Sequence, residues 1–159
     1  MMTTPSIRTL LSMACDGFGP SQTCLNIARG VYHAGGTIDV YANRSRVPAP
    51  AFPLTLALGG KVMSKLPYKY VRDRASQWLE SQFLDSVEPG QIAYLWPDAS
   101  LEAHRALYER GIPVVMEGIN TRMVSARAIL DAAYEGLGLE PSHGITDERI
   151  AEEEEKYYN

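Results

Sequence analysis

The chain alternates between two apolar patterns. Residues 7–14 (Ile-Arg-Thr-Leu-Leu-Ser-Met-Ala) are short and mostly apolar, as in a strand covered on both faces. Cys15-Asp16-Gly17-Phe18-Gly19-Pro20-Ser21 follows as a loop of turn formers. Ser21 is then the expected N-cap of a helix in which Cys24, Ile27, Ala28 and Val31 recur at helical spacing. Gly35-Gly36 ends that helix, and residues 38–42 read as a second strand. A Pro-rich loop over 47–53 leads to a short strand at 54–58.

Residues 70–84 carry a broad apolar helical face of Val71, Ala75, Trp78, Leu79 and Phe83. Residues 92–96 predict a strand, and Asp98 an N-cap for the helix that stops at Gly111-Ile112-Pro113. Residues 112–116 predict another strand. Ala126, Ile129, Leu130, Ala133 and Leu137 then give the clearest helical period in the chain. The last stretch, 146–159, opens as a helix with Thr146 as cap and Asp147 and Glu148 at its positive end. It carries no C-terminal stop signal.

Strands alternating with helices over short connections predict an α/β fold: a Rossmann-like parallel sheet with helices on both faces. In such sheets the working residues lie beyond the carboxyl ends of the strands. The loops concerned are 16–21, 43–46, 59–61, 97–100 and 118–122.

Composition changes this picture little. At 159 residues, with 45% hydrophobic and 21% charged positions, the chain is ordinary globular material that can bury a core. It lacks both an apolar run of membrane-spanning length and a signal-peptide pattern. The two cysteines, Cys15 and Cys24, have no metal-type spacing, and Cys24 falls on an apolar helix face, which suits a reduced protein.

The net charge of −4 conceals an asymmetry. Arg44, Arg46, Lys61, Lys65, Lys69, Arg72 and Arg74 face a single acid, Asp73, whereas residues 147–155 are strongly acidic. Lys61, Lys65, Lys69 and Arg72, interleaved with Tyr68 and Tyr70, are candidates for an anionic membrane surface. The structural alternative is a solvated helix face. The low pI and the absence of a recognition motif argue against nucleic acid.

Two loops carry candidate chemistry. Asp16-Gly17-Phe18-Gly19 follows the first strand, where glycines let a ligand approach the backbone. It matches neither G-x-G-x-x-G nor a Walker loop. Glu117-Gly118-Ile119-Asn120-Thr121-Arg122 gathers a carboxylate, an amide and a guanidinium at a strand end, groups that suit sugar hydroxyls. Structurally, Glu117 would instead cap local amides or pair with Arg122. His33, His104 and His143 fall into no triad or metal spacing.

From Ile92 onward, several segments resemble the N-terminal domain of bacterial family 4 glycosyltransferases, retaining enzymes of the two-domain GT-B architecture. They are Tyr94-Leu95-Trp96-Pro97, Gly111-Ile112-Pro113-Val114-Val115-Met116-Glu117, Asn120, Ile129-Leu130-Asp131 and His143-Gly144-Ile145-Thr146-Asp147-Glu148. The opening with Asp16-Gly17-Phe18-Gly19 and Gly35-Gly36 is similar too. The resemblance implies that residues 1–159 are one acceptor-side domain, half of the GT-B pair, with the C-terminal donor-binding domain absent.

It further implies a cleft lined by Asp16, Gly17, Phe18 and Gly19 on one side and by Glu117, Asn120 and Arg122 on the other. The parent enzyme would transfer a hexosyl group from a nucleotide-diphosphate sugar without a metal. Its acceptor would be a sugar or lipid-linked sugar, and its place cytoplasmic or peripheral at the inner membrane. This chain alone would hold no cofactor and show little activity. It would be free to self-associate through its interdomain face. The family's glutamate pair belongs to the second domain, and its cleft histidine has no counterpart beside Glu117. The competing readings are a stand-alone binding domain and a flavodoxin-like or receiver domain. A receiver needs an acidic pair after its first strand, where Asp16 stands alone.

Overall fold

The structure, a computed structural model, describes residues 6–57 and 68–158. It divides into two compact units, residues 1–117 and residues 118–159.

In the first unit, β1 (Ser6–Cys15), β2 (Thr37–Ser45), β3 (Leu54–Leu56), β4 (Ile92–Leu95) and β5 (Val114–Met116) form a parallel sheet in the order β3-β2-β1-β4-β5. Helices α1 (Gly19–His33), α2 (Tyr68–Ser86) and α3 (Leu101–Glu109) cover it. The sheet is the Rossmann-like α/β arrangement that the alternating pattern predicts.

Period-two alternation divides the core. Leu10, Tyr41, Ala93 and Leu95 pack with Leu79 and Phe83 of α2 and Leu107 of α3. Leu11, Ile38, Val40 and Ala42 point to the other face, against Cys24, Leu25 and Ala28 of α1. The Pro-rich loop supplies Phe52 to this second layer, where it is buried. Both cysteines are buried and free.

Several boundaries depart from the sequence pattern. Ser21 does not cap α1: the helix starts at Gly19 with Phe18 in the N-cap position and no side-chain cap bond. Pro20 explains the shift, because its fixed φ and missing N–H suit the first helical turn. Asp98 does not cap α3 either. Ser100 does, its Oγ accepting from Ala103 N at 3.0 Å. Glu80 of α2 holds that cap, accepting from Ser100 N at 3.0 Å and from its hydroxyl.

The ladder of β5 begins at Val114, since Pro113 has no N–H to donate; its carbonyl accepts from Ala93 N at 2.9 Å. Trp78, expected on the inner face of α2, is 50% exposed, whereas Ala75, Leu79 and Phe83 are buried. The buried stripe is thus narrower than the sequence pattern suggests.

The second unit holds α4 (Met123–Gly136) and α5 (Asp147–Tyr158). Neither helix has a buried residue, so the strong period of α4 makes no core: Ile129 is 64% exposed. Polar clasps join the helices instead. Glu153 accepts from Met123 N at 2.7 Å and so serves the uncapped start of α4. Arg122 lies 3.8 Å from Glu153 and 3.7 Å from Glu154, and its guanidinium stands over the rings of Tyr157 and Tyr158. At the far end Arg127 pairs with Asp147 and Asp131, and His143 Nε2 meets Asp131 at 2.7 Å. Among the described residues no helix is long and apolar enough to cross a membrane.

Candidate functional site

Because every strand runs the same way, the carboxyl ends of β1, β2, β4 and β5 open on one edge of the sheet. The chain runs outward from β1 to β3, then crosses to β4, so the order reverses between β1 and β4. Crevices at such reversals are where open α/β sheets hold ligands.

The turn after β1 is fixed by one carboxylate and one hydroxyl. Asp16 Oδ1 accepts from Phe18 N at 3.1 Å and lies 2.8 Å from Ser21 Oγ. The Ser21 hydroxyl in turn accepts from Gly17 N at 3.0 Å and lies 3.0 Å from the Phe18 carbonyl. Ser21 is buried, so this clasp sits on the body of α1. Gly17, at φ 83°, and Gly19, at φ 50°, take the left-handed backbone conformation that the turn needs. A Cβ at Gly17 would stand 3.1 Å from Val47 Cγ1, so the turn rests on the loop after β2. The two loops are also joined through the backbone, Arg46 N donating to the Cys15 carbonyl at 2.9 Å.

The Ser21 hydroxyl, then the Phe18 amide, hold the Asp16 carboxyl below its ordinary range, and Arg46 adds to the effect. A depressed folded-state pKa stabilises the fold above the ordinary carboxylate range, and that contribution is lost as pH falls through the depressed value. Ser21→Ala is therefore expected to raise the Asp16 pKa toward normal and to lower stability by about 1 kcal/mol at neutral pH. The difference from the parent should shrink on acidification. Carboxyl-carbon NMR titration paired with melts at two pH values measures both effects; an unmoved Asp16 titration would contradict the clasp.

Glu117 follows β5 directly and accepts from the hydroxyl of Tyr94 on β4. Burial, and then this hydrogen bond, raise the Tyr94 pKa, so the phenol keeps its proton and donates it to the carboxylate. The parallel register explains the meeting: Tyr94 faces Val115, and Glu117 lies one side-chain period beyond it. Within the sheet unit Glu117 thus takes Tyr94 as its partner. Asn43, expected in the loop after β2, instead lies within that strand and is fully buried.

The structure brings Asp16, Gly17, Phe18, Gly19 and Glu117 to the carboxyl edge of the first unit. Asn120 and Arg122 belong to the second, where Asn120 is exposed and Arg122 is engaged with α5. Of the membrane-surface candidates, Lys61 and Lys65 lie outside the described residues. Lys69 is in the first turn of α2, and Arg72 is exposed and paired with Asp73 at 3.0 Å.

One contributor escapes a sequence reading: Tyr94, hidden in a strand that reads as plain core. Ser21 and Arg46 lie in loops that the sequence marks, but only the fold shows that both act on Asp16. Chemically, the edge offers an ionised carboxylate, a guanidinium, a second carboxylate held by a phenol, and an exposed aromatic ring. Groups of these types are able to bind and orient hydroxyls. No protein-family model, curated protein or solved structure matches the chain.

Proposed function

We propose that the sheet unit is the acceptor side of a nucleotide-sugar-dependent retaining glycosyltransferase of GT-B architecture. The observation that supports this reading best is the carboxyl edge itself. Hydroxyl-binding carboxylates stand on both sides of the strand-order reversal, Asp16 after β1 and Glu117 after β5. The motifs of the β4–β5 segment resemble those of family 4 enzymes and supply the rest.

In this reading Asp16 and Glu117 orient the hydroxyls of a sugar acceptor, and the glycines of the first turn let it approach the backbone. The donor and its diphosphate are held by a second domain, where stabilising the departing charge would supply the catalysis. The part of this chain is to bind and orient the acceptor.

Amide and methyl NMR of the whole chain against a glycan panel and against uridine and guanosine diphosphate sugars tests the assignment. The expected result is shifts clustered at residues 16–19 and 94–98 with glycans, lost in Glu117→Gln, and no saturable response to the diphosphate sugars. Tight binding of a diphosphate sugar, or glycan shifts scattered away from this edge, would sink it.

A further inference from the structure

Phe18 is 78% exposed, the highest value among the described large apolar side chains of the sheet unit. Single exposed apolar residues are common on protein surfaces and need no explanation. Among the described residues of this unit, the other strongly exposed aromatics, Tyr32, Trp78 and Tyr108, are of that kind, standing on helices α1, α2 and α3.

Phe18 differs in three ways. It stands at the carboxyl edge of the sheet, just after β1. Its backbone is held at both ends, the amide donating to Asp16 Oδ1 and the carbonyl 3.0 Å from Ser21 Oγ. It is also flanked by two glycines at positive φ, so the chain bends on either side of the ring. An apolar side chain left in water at the tip of a turn usually belongs to a loose segment. Here the turn is anchored to the buried Ser21 and rests against Val47, and only the ring is left out.

The groups beside the ring give the ligand its chemistry. Asp16 is held ionised, and one of its oxygens, Oδ1, accepts the two bonds of the clasp, leaving acceptor capacity on the other. Arg46 is close enough to Asp16 to lower its pKa and is exposed, with donors to offer. An aromatic face bordered by a hydroxyl acceptor and a guanidinium matches a pyranose ring, which has an apolar C–H face and a rim of hydroxyls.

We infer that Phe18 is the stacking platform for a pyranoside, whose hydroxyls are taken by Asp16 and Arg46. The inference rests on the acceptor reading above and narrows it: the residue that docks at the ends of β1 and β2 is a sugar ring presenting a continuous C–H face. Specificity follows from the geometry. A ring whose stacked face is broken by an axial hydroxyl leaves that group against the phenyl without a partner, which costs affinity. Phe18 acts by binding and orientation; it moves no proton.

The experiment uses the full chain with methyl β-D-glucopyranoside, methyl β-D-galactopyranoside and methyl α-D-mannopyranoside as probes, and uridine monophosphate as control. Saturation of the Phe18 ring protons should pass to ring C–H protons of at least one glycoside. Phe18→Ala should weaken that glycoside by about tenfold, the effect of losing one buried aromatic contact, and Phe18→Trp should keep it. Phe18 is exposed, so both variants should melt like the parent.

Glycoside shifts at the carboxyl edge with unchanged affinity in Phe18→Ala would overturn the platform and leave the acceptor reading standing. Uridine monophosphate quenching the Phe18 signals while no glycoside does so would overturn it in favour of a nucleobase platform. No response to any glycoside would remove both the platform and the acceptor reading.

Discussion

Phe83→Ala is expected to lower the stability of the sheet unit by about 3–5 kcal/mol, the range for emptying a buried aromatic site. Phe83 is fully buried in the layer that joins α2 to the sheet, among Leu10, Leu79 and Leu95. Its ring meets Tyr41 of β2 edge-on, centroids 5.5 Å apart at 79°, a geometry that adds to simple burial. Removing it leaves a cavity between a helix and two central strands, where neither side can collapse freely. A domain of this size loses about 2–4 °C per kcal/mol, so a fall near 10 °C in Tm is expected. Trp78→Ala is the matching control. Trp78 lies on the same helix and is larger, yet it is half exposed, so a clearly smaller loss of about 1 kcal/mol is expected. Calorimetry of both variants decides which face of α2 is inward. A Trp78→Ala loss equal to that of Phe83→Ala would contradict the packing described.

That control marks where the sequence pattern stops being informative. Strand and helix order was legible because the period changes between two and 3.6 residues at each boundary, and Gly35-Gly36 and Gly111-Ile112-Pro113 punctuate it. The width of the buried stripe on α2 was not. Periodicity admits both Trp78 and Leu79 to the inner face, and only the narrow contact with Leu10 and Leu95 selects Leu79. Helix starts were misplaced for a similar reason. Asp98 and Ser100 are both good caps, and the choice falls to Glu80, twenty residues earlier in the chain. In α4 the strongest period in the chain yields a helix with no buried residue, because amphipathicity says nothing about what covers the apolar stripe.

The candidate site divides along the same line. The turn at Asp16–Gly19 was visible because glycines and an Asp after a strand are local signals. The partnership of Tyr94 with Glu117 depends on the register of β4 against β5, which no local signal carries. Arg122 stood near Glu117 in sequence and suggested an ion pair. Its charge is instead satisfied by Glu153 and Glu154, more than thirty residues on. Proximity in sequence locates the turn, whereas a contact across the ladder needs the register of its strands.

Asn43→Asp is expected to be as damaging as Phe83→Ala, about 3–5 kcal/mol at neutral pH, although it changes hardly any volume. Asn43 is fully buried in β2. Its Nδ2 donates to the Ser12 carbonyl at 2.7 Å and to Ser76 Oγ at 2.9 Å. Ser12 lies where β1 carries an extra residue, between the Leu11–Ala42 and Ala14–Arg44 pairs. A bulge of this kind interrupts the ladder, and the side-chain amide of the neighbouring strand supplies a donor there. A carboxylate has no proton to donate, and it would set its charge against the Ser12 carbonyl oxygen in a site closed to water. The introduced Asp should therefore have a folded-state pKa raised above its unfolded value. The folded state then binds more protons than the unfolded one between those two values, and stability recovers as pH falls through that interval. Asn43→Ala removes the same donors without burying a charge. It should cost about 2–4 kcal/mol, from the lost bonds and the cavity, and show no such recovery. Denaturant melts of both variants at neutral and mildly acidic pH separate the two mechanisms. Equal, pH-independent losses would mean that Asn43 serves the bulge by its shape alone.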